Sequence, residues 1–350
     1  MRRGYLDGAR GLAVLVMIQI HAFNCWVVPE DRGTRLFGLT RLIGGYPAVL
    51  FLFLAGVAAA LAGERERERG ALGDEVRRRG VRRALQVLGY AVLFRVWMLA
   101  SGSFARPADL LRVDVLNCIG VSLLLVALAL AAPTAGTRLA AAIGLAVAVA
   151  ALTPLAWDAP AVKVLPWPLR GYLSGREPEA LFPVFPWAAF AAAGAAAGVM
   201  LARARTLGHE GLVIALLAAA GGAAIPAALY ADRHLPAVYA AYDFWYTSPS
   251  YTALKAGVAA LVLAAAYLFD KVPGPSALRQ LGRTSLLVYW VHVEIVYGQW
   301  VAPWARGRLA IGEATRGVVL LMLAMLALSI IRTRVGEWWS ARPSRAAAAA

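Results

Sequence analysis

Apolar runs of about twenty residues, separated by short polar breaks, follow one another along the chain, and no other feature narrows its folding as much. A helix of that length rises about 30 Å, enough to cross the hydrocarbon core of a bilayer. Runs and breaks together predict ten spans, near residues 9–28, 44–63, 84–101, 113–132, 137–156, 181–203, 209–231, 249–269, 284–303 and 314–333. Composition agrees: 61% of the 350 residues are AVILMFWYC and 16% are charged, against about 45–50% and about 25% in soluble domains. A soluble enzyme is thereby excluded. Two cysteines exclude a small disulfide scaffold, and an aromatic content of 10% argues against disorder. No span repeats another at a fixed period, so the expected fold is an all-α integral membrane protein, about ten transmembrane helices in one bundle. Residues 1–345 are read as a single polytopic domain and 346–350, all alanine, as a frayed tail.

A net charge of +15 would suit a nucleic-acid binder, but the basic residues sit at the ends of apolar runs, where a membrane protein concentrates them on its cytoplasmic side. With the N-terminus inside, 21 Lys and Arg fall in inner connections and 11 in outer ones. That excess, and an even number of spans, place both termini in the cytoplasm of a multi-pass protein of the inner (plasma) membrane. Nucleic acid is not an expected partner; membrane lipids are. The opening MRRGYLDGARGLAVLVMIQIHAF is read as helix 1 rather than a secretion signal, because no small-residue cleavage site follows and the stretch runs on through His21 and Asn24 to Trp26.

Ionisable residues inside such spans are costly, about 2.5–3.5 kcal/mol for Arg, Lys or Asp on insertion scales, so each one needs a reason. His21 lies eleven residues beyond Arg10, about 16 Å along a helix, and His292 nine beyond Arg283, about 13.5 Å along a second helix entering from the same side. Glu294, Arg95 and Lys255 complete a set of five that could converge at one depth. For Arg95, Lys255 and Glu294 mutual pairing that glues helices together is an equal reading. A neutral imidazole exchanges a proton near pH 7, which makes His21 a candidate base; a structural hydrogen bond is the alternative. His292 is a candidate site residue or a packed core histidine between Tyr289 and Trp290 and their neighbours. His209 and His234 stand at span ends and read as solvated surface. The connection 64–83 begins with a self-neutralising ERERER and ends in VRRRGVRR, five arginines without an acid. That cluster would hold anionic lipid headgroups or the phosphates of a cytosolic ligand. Cys25 and Cys118 have no metal-ligand spacing, and no metal is expected.

Several segments together resemble a known family. YLDGARGLAVLVMIQIH has the Leu-Asp-x-x-Arg-Gly lead, apolar helix and histidine that open the heparan-α-glucosaminide N-acetyltransferase catalytic family and its bacterial relatives, which is related to the acyltransferase 3 membrane family. LFLFLAGVAAAL is similar to the second-helix signature, VDVLNCIGVSLLL to that of the fourth with Asn117 where Gln is common, FPVFPWAAFAAAGAAAGVM to the Phe-Pro-x-x-Pro-Trp start of a Gly-rich helix, and LGRTSLLVYWVH to the late Gly-x-x-Ser-Leu-x-x-Tyr-x-x-His helix.

The resemblance implies an integral acyltransferase that takes an acyl group, expected to be acetyl, from cytosolic acyl-CoA and delivers it to a saccharide or small-molecule acceptor at the outer face. It implies His21 as general base, or as a transient acyl carrier, and Asp7 and Arg10 at the inner mouth of the site. Arg79, Arg82 and Arg83 would hold the CoA phosphates, and Asp114 and Asn117 would orient the acceptor or His21. Arg95, assigned with the donor-binding set, or a protonated His292 would stabilise the tetrahedral oxyanion. A homodimer is left open as a further partnership. The competing class is a polytopic small-molecule transporter whose buried charges mark a substrate path, although the two halves show none of the matching interrupted helices such proteins carry. A lipid-linked glycosyltransferase, suggested by Glu30 and Asp31 in the first outer loop, is the third reading.

Overall fold

The computed structural model describes residues 3–103, 107–176, 180–236, 238–240 and 242–340. The predicted tail at 346–350 lies outside them, as do Arg2, Arg106, Arg342 and Arg345 of the charge count. The first half of the chain forms α1 (Gly4–Trp26), α2 (Arg35–Gly44), α3 (Pro47–Glu68), α4 (Gly73–Ala100), α5 (Val115–Ala129) and α6 (Ala135–Asp158), followed by the short α7 (Pro160–Lys163) and α8 (Trp167–Leu173). The second half forms α9 (Val184–Thr206), α10 (Glu210–His234), α11 (Pro249–Phe269), α12 (Ala277–Arg283), α13 (Ser285–Tyr297) and α14 (Ile311–Ser340). No strand ladder occurs among the described residues.

Among the described residues eight helical stretches are long and apolar enough to cross a membrane, α2 and α3 counting together as one, and α5 and α13 are shorter apolar helices. The ten predicted spans thus fall on ten apolar helices. Sequence reading missed α2, a ten-residue amphipathic helix with Leu36, Leu39, Leu42 and Ile43 exposed, and α12, which it ran into the break before α13.

The chain divides into two compact units, residues 45–269 and residues 1–44 with 270–350. In the larger, α9 is the most enclosed helix, and small residues explain why. A Cβ on Gly56 of α3 would run into the Ala191 carbonyl, and one on Gly194 of α9 into the Phe53 carbonyl, so the two backbones meet directly. Close approach of this kind replaces the hydrophobic effect, which cannot drive helices together in lipid. Gly221 of α10 and Gly257 of α11 repeat the device. By contrast α4, α6 and α10 leave large side chains such as Val92, Trp97, Val147, Leu155 and Leu216 exposed, the expected surface for acyl chains.

The ERERER segment is not merely solvated, as its self-neutralising charges suggest. It continues α3, and Glu64 takes two hydrogen bonds from the buried Arg138 guanidinium at 2.6 and 2.8 Å, while Arg138 also donates to the Ala132 and Pro133 carbonyls. Arg67 donates to the Leu130 carbonyl at 2.7 Å. These bonds tie the end of α3 to the turn between α5 and α6.

In the smaller unit α1 is central. Gly11 abuts the Leu278 carbonyl and Gly282 the Asp7 carbonyl, so α1 and α12 touch backbone to backbone. Arg32, in the turn after α1, donates to the Val27 and Asn24 carbonyls and satisfies acceptors that the end of the helix leaves open.

Candidate active site

Four residues apart on one face of α1 stand His21 and Cys25, and four apart on one face of α13 stand His292 and Val296. His21 Nδ1 lies 2.9 Å from His292 Nε2, and Cys25 Sγ donates to the Val296 carbonyl at 3.2 Å. Both contacts join residues 271 apart, so the two helices run in the same direction, in register. Tyr297, one residue further along α13, donates to the His21 carbonyl at 3.3 Å and sets its ring edge-on to the imidazole with 5.6 Å between centroids. Arg306 in turn donates to the Tyr297 and Gly298 carbonyls and holds the end of α13.

The histidine pair has a definite polarity. His292 is fully buried, and its Nδ1 is 2.7 Å from the Val288 carbonyl one turn earlier. A carbonyl only accepts, so that Nδ1 carries the hydrogen. In a neutral ring Nε2 is then the acceptor, and His21 Nδ1–H must be the donor of the 2.9 Å bond. His21 Nε2 is left with the lone pair. The rings are 7° from parallel with 5.2 Å between centroids, a separation that fits rings joined edge to edge through the two nitrogens. His21 itself is only partly buried. Both nitrogens of His292 are engaged, so it has no N–H left to offer an oxyanion; its place is behind His21.

Asp7 and Arg10 form an ion pair at 3.4 Å near the start of α1, with Asp7 buried against α12. Between them and His21, Gln19 has an Nε2 that is buried and meets no acceptor. A buried donor in that state is satisfied by an ordered water or by a ligand.

The remaining candidates lie in the larger unit. Arg95, near the end of α4, pairs with Asp114 at 2.8 Å, and both side chains are buried. Asp114 is also the N-cap of α5: one carboxylate oxygen accepts from the Leu116 and Asn117 amides, and Asn117 Oδ1 accepts from the Asp114 amide, a reciprocal cap. Asn117 Nδ2 donates to the Tyr172 hydroxyl at 3.0 Å. Burial pushes the Tyr172 phenol above its ordinary range, so it stays protonated at neutral pH and keeps a hydrogen to donate. Arg95, Asp114, Asn117 and Tyr172 therefore form one connected group at the α4–α5 end.

Of the five ionisable residues expected at one depth, His21 and His292 come together, and Arg95 and Lys255 each have other neighbours. His21 meets His292, Arg95 meets Asp114, and Lys255 lies over the Tyr251 and Trp187 rings. The arginines in the first turns of α4 also divide. Arg79 pairs with Glu66, whereas Arg82 and Arg83 are exposed, on the side of α4 that continues into Leu85, Val92 and Val96. Arg67, which sequence reading did not single out, and Arg78 of the VRRRGVRR cluster line a cleft of about 690 Å³ with Gly73, Asp74 and Ala131. Tyr297 and Tyr172 were missed as well, since nothing in a sequence distinguishes a tyrosine that meets a site from one in a membrane-interface belt. No cluster of His, Cys, Asp or Glu suited to a metal occurs among the described residues.

The chain matches the family profile described as heparan-alpha-glucosaminide N-acetyltransferase, catalytic, over residues 2–230. No curated protein sequence matches it significantly. The profile spans α1 to most of α10 and so includes His21, Arg95, Asp114 and Asn117, while His292 and Lys255 lie beyond it. With an all-helical membrane fold and well over half its length matched, the chain belongs to the heparan-alpha-glucosaminide N-acetyltransferase catalytic family, and is a membrane acetyltransferase.

Proposed function

We propose that the protein moves an acetyl group from cytosolic acetyl-CoA to a hydroxyl or amine of an envelope saccharide or related acceptor, with His21 as general base. The observation that carries this reading is the chain from His21 through His292 to the Val288 carbonyl, which leaves the lone pair on His21 Nε2. In the reaction the acceptor's proton passes to His21 Nε2 as its oxygen or nitrogen attacks the thioester carbonyl. The tetrahedral intermediate expels the CoA thiolate, which recovers the proton from His21. While His21 is protonated, its Nδ1–H bond to His292 becomes charge-assisted and stronger. The donor's phosphates would be held by the arginines around the α3–α4 turn: Arg67 and Arg78 in the cleft, Arg82 and Arg83 beside it, with Arg79 already engaged by Glu66. Asp7 and Arg10 would line the donor's approach along α1, and the Arg95–Asp114–Asn117–Tyr172 group would orient the acceptor. Both termini then face the cytoplasm of the plasma membrane, as the arginine distribution favours.

The test is release of free CoA thiol by the purified full chain given acetyl-CoA and a panel of amino sugars and neutral sugars. His21→Ala should lower turnover by about 10²–10⁴-fold, the contribution of a positioned base. Burial of the Cys118 thiol, read with a thiol-reactive dye, should be unchanged. Turnover preserved in that variant would remove His21 from the chemistry.

A further inference from the structure

Lys255 sits in the second turn of α11, about 9 Å beyond Pro249 along the axis. Its ammonium lies 4.4 Å from the centroid of Tyr251 and 5.5 Å from that of Trp187, near the start of α9. Trp187 is braced edge-on by Phe182 and Phe190, and Tyr251 edge-on by Trp245 and at a tilt by Phe244. Among the described residues no carboxylate stands within ion-pair distance of Lys255. That sets it apart from Arg95, Arg138 and Arg279, each of which has an acidic partner.

A lysine near a helix end usually extends its stem to place the charge in water or among headgroups. Here it folds against two ring faces. Cation–π contact recovers only part of what it costs to withdraw an ammonium from water, so the charge remains under-compensated. The group is nevertheless reachable: Lys255, Tyr251 and Trp187 are each partly exposed, and Trp245 and Tyr246 beside them are 56% and 65% exposed. A compact cation ringed by aromatic faces, open on one side and short of an anion, is chemically matched to a phosphate joined to an apolar or sugar-like body. The ammonium takes the oxygens, and the rings take the C–H faces next to them. We infer that Lys255, Trp187 and Tyr251 form a binding site for a phosphate-bearing molecule, distinct from the histidine pair. Two sources share that chemistry: a phosphorylated sugar and the headgroup of an anionic lipid.

The experiment uses the full chain in nanodiscs of phosphatidylcholine, as wild type, Lys255→Met and Lys255→Arg. One arm titrates glucosamine 6-phosphate by calorimetry, with glucosamine as the neutral control; the other counts phosphatidylglycerol retained on transfer from mixed lipid, by native mass spectrometry. The expected result in one arm is binding by wild type and Lys255→Arg that is weakened about tenfold or more in Lys255→Met, the scale of a lost bond to a charged group. A response to glucosamine 6-phosphate assigns the site to a soluble sugar phosphate, and a response in the second arm alone assigns it to a lipid. Equal binding by Lys255→Met, or no phosphate ligand held by wild type in either arm, overturns the inference. Neither readout involves acetyl transfer, so the outcome is separate from that of the histidine mechanism.

Discussion

Two polar contacts within the helices, one in each compact unit, answer the same physical problem in opposite ways. On α4 and α5 the Arg95–Asp114 pair closes on itself: the charges cancel, and the carboxylate also caps a helix through two backbone amides. On α1 and α13 the His21–His292 contact is between neutral rings and ends at a carbonyl, so the chain of bonds leaves one nitrogen over. A self-satisfied ion pair specifies structure, because removing either member strands a charge in the interior. A neutral chain with a spare lone pair is poised for proton transfer. The proposed base is therefore distinguished by its unfilled nitrogen and not by burial.

The sharpest way to break this contrast is Arg95→Met. It should destabilise the protein by about 3–5 kcal/mol, the cost of leaving one partner of a buried pair uncompensated. Exposure of the Cys118 thiol at lower temperature is the measurement. Adding Asp114→Asn, which removes the stranded charge and retains a good N-cap side chain, should recover a large part of the loss. No recovery would mean that the pair is not the coupled unit described. The converse variant, His292→Leu, keeps the fully buried volume filled and should cost less stability than Arg95→Met, about 1.5 kcal/mol or less, while lowering kcat about 10–100-fold, the usual effect of losing the partner that orients a working histidine. A loss of stability with kcat intact would reverse the assignment of the two regions. The smallest effect is expected for Tyr172→Phe, which deprives Asn117 Nδ2 of its acceptor. About 0.6 kcal/mol is typical for a side-chain bond between membrane helices, and a larger rise in acceptor KM than in unfolding would place Tyr172 at the acceptor.

Much of the architecture was legible beforehand, because a bilayer removes the alternatives. Length and hydropathy of each run suffice to call a spanning helix, and the ten predicted spans coincide with ten apolar helices to within a few residues at most ends. What failed was short or amphipathic. Neither α2 nor the seven-residue α12 has the uniform apolar signal of a span, and ERERER looked self-contained because a sequence cannot display Arg138 approaching Glu64 from another helix. The candidate site was legible as residue types. His21 and Arg95 stood out because ionisable groups are costly in hydrocarbon, but their partners could not be read, since pairing depends on how helices rotate about their axes.

The order of apolar runs, the arginines at their ends and the single histidine of helix 1 follow from the amino-acid string, because hydropathy and charge act locally and sum along it. The tautomer of His21, the isolation of Lys255 among aromatic rings and the closure of Arg95 on Asp114 were decided only when glycine-lined faces let specific helices meet at fixed rotation and depth. Hydrogen bonds and ion pairs fall away within an ångström or so of their best distance, so these features belong to the packed bundle and to no segment of it.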